Sequence, residues 1–99
     1  MLFRDVIELL GRTLEQDELT GEVRHVETPR QVFANRKSVR QSEFYAASMA
    51  GLRPEIMFEI RSIEYQGERA LRYHDRRHDI IRTYDRGEIT ELVCTGVQE

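Results

Sequence analysis

The sequence predicts a mainly β, antiparallel fold, and three observations carry that expectation. Turn signals recur in the second half, "QGE" at 66–68, "HDRR" at 74–77 and "DRGE" at 85–88. The segments between them, "EIMFEIRSIEY", "RALRY", "HDIIRTY" and "EITELVC", are rich in β-forming residues. Turns at a regular spacing of about 8–12 residues are the mark of an antiparallel meander. Third, Ile56, Phe58 and Ile60 alternate, but the next apolar residues are Ile63 and Tyr65. Strand side chains repeat every second residue, so this change of phase requires a bulge or strong bend near Ser62. A barrel or a coiled sheet needs such bends.

The first third of the chain reads in two ways. Phe3, Val6, Ile7 and Leu10 fall at helical spacing, while "VIELL" and "VRHVETPRQVFA" also suit strands. The turn "DELTGE" at 17–22 separates two segments of similar length, which favours a long hairpin over residues 5–16 and 22–36. Pro29 limits part of the second strand to an edge or a bulge, because proline has no N–H for a ladder.

Between hairpin and meander lie residues 37–54. Their centre, 44–52, is a nine-residue run without charge in a chain that is 33% charged. Ala, Met and Glu favour a short helix there, with Ser42 as N-cap and Gly51 and Pro54 to end it. No Glu or Gln stands three residues after Ser42 to complete a capping box. Connections this long in a small domain are uncommon and are usually functional or disordered. Alanine, glycine and serine allow close backbone packing, either on the chain's own sheet or against copies from neighbouring subunits. The candidate core is Phe33, Ile56, Phe58, Ile60, Ile81, Leu92 and Cys94.

Ninety-nine residues, 39% hydrophobic, are enough for one domain with a modest core and a radius of gyration on the order of 13 Å. A net charge of −3 argues against a general nucleic-acid binder that relies on phosphate neutralisation. Arg4, Asp5 and Glu8 interrupt the apolar residues of "MLFRDVIELL", so no signal peptide is expected. No run reaches the roughly 18–20 apolar residues of a membrane helix. With one cysteine there is no internal disulfide, and a soluble protein that needs no oxidising compartment is expected. Fourteen of the fifteen basic residues are Arg and only Lys37 is Lys. Arginine's bidentate, weakly hydrated contacts suit protein interfaces; codon usage in a GC-rich genome gives the same bias.

Residues with chemical potential are few. His74 and His78 in "HDRRH" have zinc-compatible spacing only on a helix; here they span an expected hairpin turn, beside Arg76 and Arg77. His25 lies in a strand pattern. Cys94 alternates with Leu92 and is expected to be a buried, inert thiol. Gly67 and Gly87 belong to turns, and no Ser or Cys has a hydrolase elbow setting. No catalytic site, metal or cofactor is expected, and the chain is not expected to be an enzyme.

The order "VFANRKSVRQSEFYAASMAGLRPEIMFEIRSIEYQGERALRY", followed by "HDIIRTY" and "ITELVC", resembles the small phage head–tail connector proteins, also called head closure or stopper proteins. The resemblance covers residues 5–94 and is most specific in "VFANRKSV", "EFYAA" with "GLRPE", "FEIR", "EYQGE" and "IIRTY". His78, where the family pattern has an aromatic, and "HDRR", in place of an Asn-Gly type turn, depart from it. The resemblance implies a small antiparallel β-barrel of about six strands, with a long loop or short helix between strands 2 and 3. It implies a structural protein of the virion neck in long-tailed phages and prophages, assembled in the host cytoplasm. Copies form a ring below the portal and adaptor, close the DNA exit channel after packaging and give the tail its docking surface. The implied partners are copies of itself, the portal or adaptor above, a tail-terminator or tail-completion protein below, and packaged DNA without sequence specificity; no membrane is involved.

In the family the connection between strands 2 and 3 contributes to the gate, which corresponds here to residues 36–55. The implied gating and subunit-contact residues are Arg36, Lys37, Ser38, Val39, Arg40, Glu43, Phe44, Tyr45, Ala46, Ala47, Ser48, Met49, Ala50, Gly51 and Leu52. Loops converging on an axis need small, uncharged residues, because like charges brought together repel. Alternative expectations are another neck role, as adaptor or tail-completion protein, and an OB-like nucleic-acid module. The latter needs a basic groove with stacking aromatics. A metal hydrolase built on His74 and His78 comes last.

Overall fold

The computed structural model describes residues 3–42, 51 and 53–96. Among the described residues there are six strands: β1 (Asp5–Gln16), β2 (Val23–Lys37), β3 (Pro54–Arg61), β4 (Ala70–Tyr73), β5 (Arg76–Asp85) and β6 (Ile89–Thr95). All pairings are antiparallel, and the order β1-β2-β3-β6-β5-β4 closes into a barrel through β4 against β1. The mainly β fold and the small antiparallel barrel expected from the sequence are therefore present. Closure removes the open edges that a six-stranded sheet would leave.

The first segment is a strand, not a helix. Ile7 and Leu9 point into the barrel and Val6 points out, so two-residue alternation prevails over the helical spacing. The expected hairpin forms with a register from Asp5↔Ala34 to Gln16↔Val23. It is much longer than the barrel wall, because β4 meets β1 only at Glu8 and Leu9, and β3 meets β2 only at Asn35, Arg36 and Lys37. The distal hairpin is therefore an arm. It lifts the radius of gyration to 15.1 Å and the longest dimension to 51 Å, above the value expected for a sphere-like domain of this length.

The interior is filled by Ile7, Leu9, Val32, Ala34, Ile56, Phe58, Ile60, Leu71, Leu92 and Cys94, with Tyr65, Tyr73 and Ile80 packed against them. Phe58 meets Tyr73 edge-on, with ring centroids 5.0 Å apart, a favourable aromatic geometry. Two expected core residues are misplaced. Phe33 is 63% exposed, because Val32 and Ala34 take the inward positions and Phe33 stands opposite Val6 outside. Ile81 is only half-buried. The β5–β6 register shifts between Ile80 and Arg82; Ile81 is the extra residue of that bulge, and Ile80 packs inward instead.

The bend expected near Ser62 is a 3-10 turn, Ser62–Glu64, that ends β3 instead of a bulge within a longer strand. It leaves Ile63 exposed and returns Tyr65 to the core. Glu68 locks the next loop: its carboxylate accepts from Gln66 N–H at 2.7 Å and from Arg30 Nη2 at 2.8 Å. Tyr65 donates its hydroxyl to the Glu68 carbonyl at 2.7 Å.

Candidate functional site

The connection between β2 and β3, residues 38–53, is the longest in sequence between successive strands. The end of β2 that leads into it is tied to the barrel. Arg36 N–H donates to Asp5 Oδ2 at 2.9 Å, and Lys37 Nζ stands 3.7 Å from Glu59. Ser38 is exposed and Val39 half-buried. Gln41 and Ser42 have helical backbone, so Ser42 lies within a helical turn instead of capping one. At the far end Gly51 has φ 75°, the left-handed conformation that favours glycine. Of the expected gating residues, Glu43, Phe44, Tyr45, Ala46, Ala47, Ser48, Met49, Ala50 and Leu52 lie outside the described residues.

Arg40 is the principal anchor. Its Nη1 donates to both Glu91 oxygens, at 3.2 and 3.1 Å, and its Nη2 to Oε1 at 3.2 Å. Glu91 sits mid-strand in β6 with only 5% of its side chain exposed, and Arg86 Nη2 reaches it at 3.2 Å. A carboxylate withdrawn from water requires such partners, and the planar guanidinium fork matches it. Arg40 and Arg82 also stand over the Tyr84 ring, at 5.7 and 5.3 Å from its centroid.

These contacts belong to a row of side chains across four strands: Asn35 opposite Glu59, Glu59 opposite Glu91, and Glu91 opposite Tyr84. Two carboxylates thus face each other directly, an arrangement that destabilises a sheet unless cations intervene. Arg40 and Arg86 neutralise Glu91. Glu59 has Lys37, while its buried Oε1 has no hydrogen bond among the described residues. The neighbouring pair Met57↔Val93 is buried as well, although its phase is opposite to that of Ile56, Phe58, Leu92 and Cys94. The β3–β6 wall is therefore buried on both faces, and the stem of the connection crosses its outer side at Arg40.

That second buried face was not expected from the sequence, yet a signal for it exists. "IMF" and "LVC" interrupt strict alternation, and continuous apolar runs mark strands covered on both sides. The pairing of Arg40 with Glu91 has no counterpart in local sequence.

The residues with chemical potential do not converge. His74 is exposed in the β4–β5 turn, with its ring centroid 4.0 Å from that of Tyr73. His78 is buried, and its Nδ1–H donates to the Thr95 carbonyl at 2.8 Å. His25 is exposed on the arm. Cys94 is buried in the core, and loss of hydration pushes its thiol up to about 12, far from nucleophilic activation. Among the described residues no three His, Cys, Asp or Glu side chains gather as a metal site, and no helix is long and apolar enough to cross a membrane.

A groove of about 830 Å³ lies where the arm leaves the barrel, lined by Leu10–Thr13 of β1, the 66–70 loop and Arg77, Asp79 and Ile80 of β5. Ion pairs brace its walls. Arg30 holds Glu68, and Arg77 holds Glu27 across the groove. The latter contact raises the Arg77 pKa further above its ordinary value, and the Glu8 hydrogen bond does the same for Arg72.

No family model matches this chain, and no curated protein matches it.

Proposed function

We propose that the chain is a structural neck protein of a long-tailed phage or prophage. Copies form a ring below the portal or adaptor, close the DNA exit channel after packaging and offer the tail its docking surface. The observation that carries this reading is a closed antiparallel barrel whose one long connection, between β2 and β3, is fastened at its stem by Arg40 and Glu91. A barrel supplies a rigid ring segment. A connection latched outside the wall supplies an element that reorganises when neighbours arrive, as order changes on assembly commonly do. The small, uncharged residues Ala46, Ala47, Ser48, Ala50 and Gly51 suit convergence on an axis. A blockade of this kind is mechanical and needs neither a basic surface nor base recognition.

The test is DNA retention by capsids of the phage that encodes the chain. Ala47→Asp and Ala50→Asp are expected to leave the isolated protein folded while filled capsids lose DNA. Retention equal to wild type would remove the gating assignment. Capsids without the protein that keep their DNA but accept no tail would move the role to a neighbouring neck component, adaptor or tail-completion protein.

A further inference from the structure

We propose that neighbouring copies join through the edges of their arms, β1 of one copy pairing with β2 of the next. The inference rests on the ring reading above in taking the neighbour to be a second copy. Beyond the barrel the arm is a two-stranded ribbon. Among the described residues, β1 after Leu9 pairs only with β2, and β2 before Asn35 pairs only with β1. Among the described residues, both outer edges therefore present backbone groups without a strand partner, a template for another strand.

The direction of those groups follows from the turn. Asp17 N–H donates to Glu22 O at 2.8 Å, and antiparallel hydrogen-bonded pairs recur at every second residue. Thr13–Val26 and Glu15–Arg24 then bond within the arm. Arg12, Leu14 and Gln16 on β1, and Val23, His25 and Glu27 on β2, direct their N–H and C=O groups outward. Pro29, which has no N–H to give, occupies an outward position of the same series opposite Leu10. It ends the usable edge on the barrel side and leaves the distal segment open.

Charge fixes the register. Within the arm Arg12 is opposite Glu27 and Glu15 is opposite Arg24. A second copy added at the same level places its Glu27 beside Arg12 and its Arg24 beside Glu15, so opposite charges alternate around the assembly. The same register sets Leu14 and Val23, 66% and 57% exposed, against His25 and Gln16 of the neighbour and removes apolar surface from water. Joining one edge to the other edge is heterologous, the contact type that closes rings.

Cysteine pairing and a proline edge block test this in the full chain. In the new interface Thr13 faces the neighbour's Val26 as a non-hydrogen-bonded pair, with Cα atoms about 4.5 Å apart, within disulfide reach. An oxidised mixture of Thr13→Cys and Val26→Cys proteins is expected to give several-fold more disulfide dimer than either variant alone. Sedimentation of the wild type is expected to reveal association that grows with concentration. His25→Pro, which copies the tolerated placement of Pro29, is expected to keep the wild-type circular dichroism and abolish that association. Thr13→Cys homodimers as abundant as the mixed product would overturn edge-to-edge joining in this sense. A wild type that stays monomeric up to its solubility limit, with no mixed product, would overturn it too, while capsid DNA retention judges the ring reading separately. Association of His25→Pro equal to wild type would put the contact elsewhere and leave the ring reading standing. Cross-linking as expected, with DNA kept by capsids that lack the protein, would leave the arm contact standing and remove the stopper role.

Discussion

The Arg40 guanidinium grips the Glu91 carboxylate with both terminal nitrogens, across 51 positions of sequence. Arg40 belongs to the stem of the long connection and Glu91 to the centre of β6, so one ion pair fastens the start of the connection to the barrel wall. Its geometry is bidentate, and one partner is buried while the other is 41% exposed. Among the described residues, removing Arg40 leaves Glu91 with Arg86 as its ion-pair partner. Arg40→Ala is expected to lower unfolding stability by about 1–2 kcal/mol, less than for a fully buried pair. A double-mutant cycle with Glu91→Gln should return a coupling of at least about 0.5 kcal/mol. Urea titrations of the four proteins check this, and additive effects would count against the latch.

Core and surface aromatics separate cleanly. Phe58 is fully buried and Phe33 is 63% exposed. Phe58→Ala is expected to cost about 3–5 kcal/mol, from lost transfer energy and the cavity left behind. Phe33→Ala should stay within about 0.5 kcal/mol. Equal losses in denaturant titrations would contradict the outward placement of Phe33.

Cys94 makes stability depend on alkaline pH. Its folded pKa, pushed up to about 12 by burial, lies above the ordinary thiol value of about 8.5. A raised pKa gives a contribution fully present below the unfolded value and lost as pH rises through the folded one. Wild-type stability should therefore fall from about pH 8.5 to about 12, with up to about 1.4 kcal/mol per pH unit arising from this thiol. Cys94→Ala should reduce that slope. Identical slopes in urea titrations at several pH values would show that the thiol does not report burial.

The β4–β5 turn carries avoidable strain. His74 and Asp75 both have positive φ, 51° and 62°, the pattern of a two-residue hairpin turn that Asn-Gly fits best. The double replacement His74→Asn, Asp75→Gly is expected to raise stability by about 0.5–1 kcal/mol. Thermal unfolding provides the measurement, and a fall would mean that the His74 ring against Tyr73 outweighs the strain.

Much of the fold was legible because it is written in short-range patterns. The turns at 66–68, 74–77 and 85–88 follow directly from turn chemistry, which acts between near neighbours. Residues 5–16 fit helix and strand spacing alike, and only the matching length of the segment after 17–22 favours a strand. Phe33 and Ile81 depart from their expected core positions because the range of such patterns is short. In "QVFAN" and "DIIR" apolar residues are adjacent, and only a partner's register says which of two adjacent residues points inward. For Phe33 the long β1 pairing decides this, and for Ile81 the bulge against β6.

The sequence by itself determined a small antiparallel β domain with a long hairpin, a meander and an uncharged segment between them. Only the tertiary structure decided that the sheet closes through β4 against β1, that the β3–β6 wall is buried on both faces, and that Arg40 meets Glu91 there. The physical reason is range. Periodicity fixes which residues alternate, whereas closure, register and ion pairing between distant strands are chosen by the packing of the whole barrel.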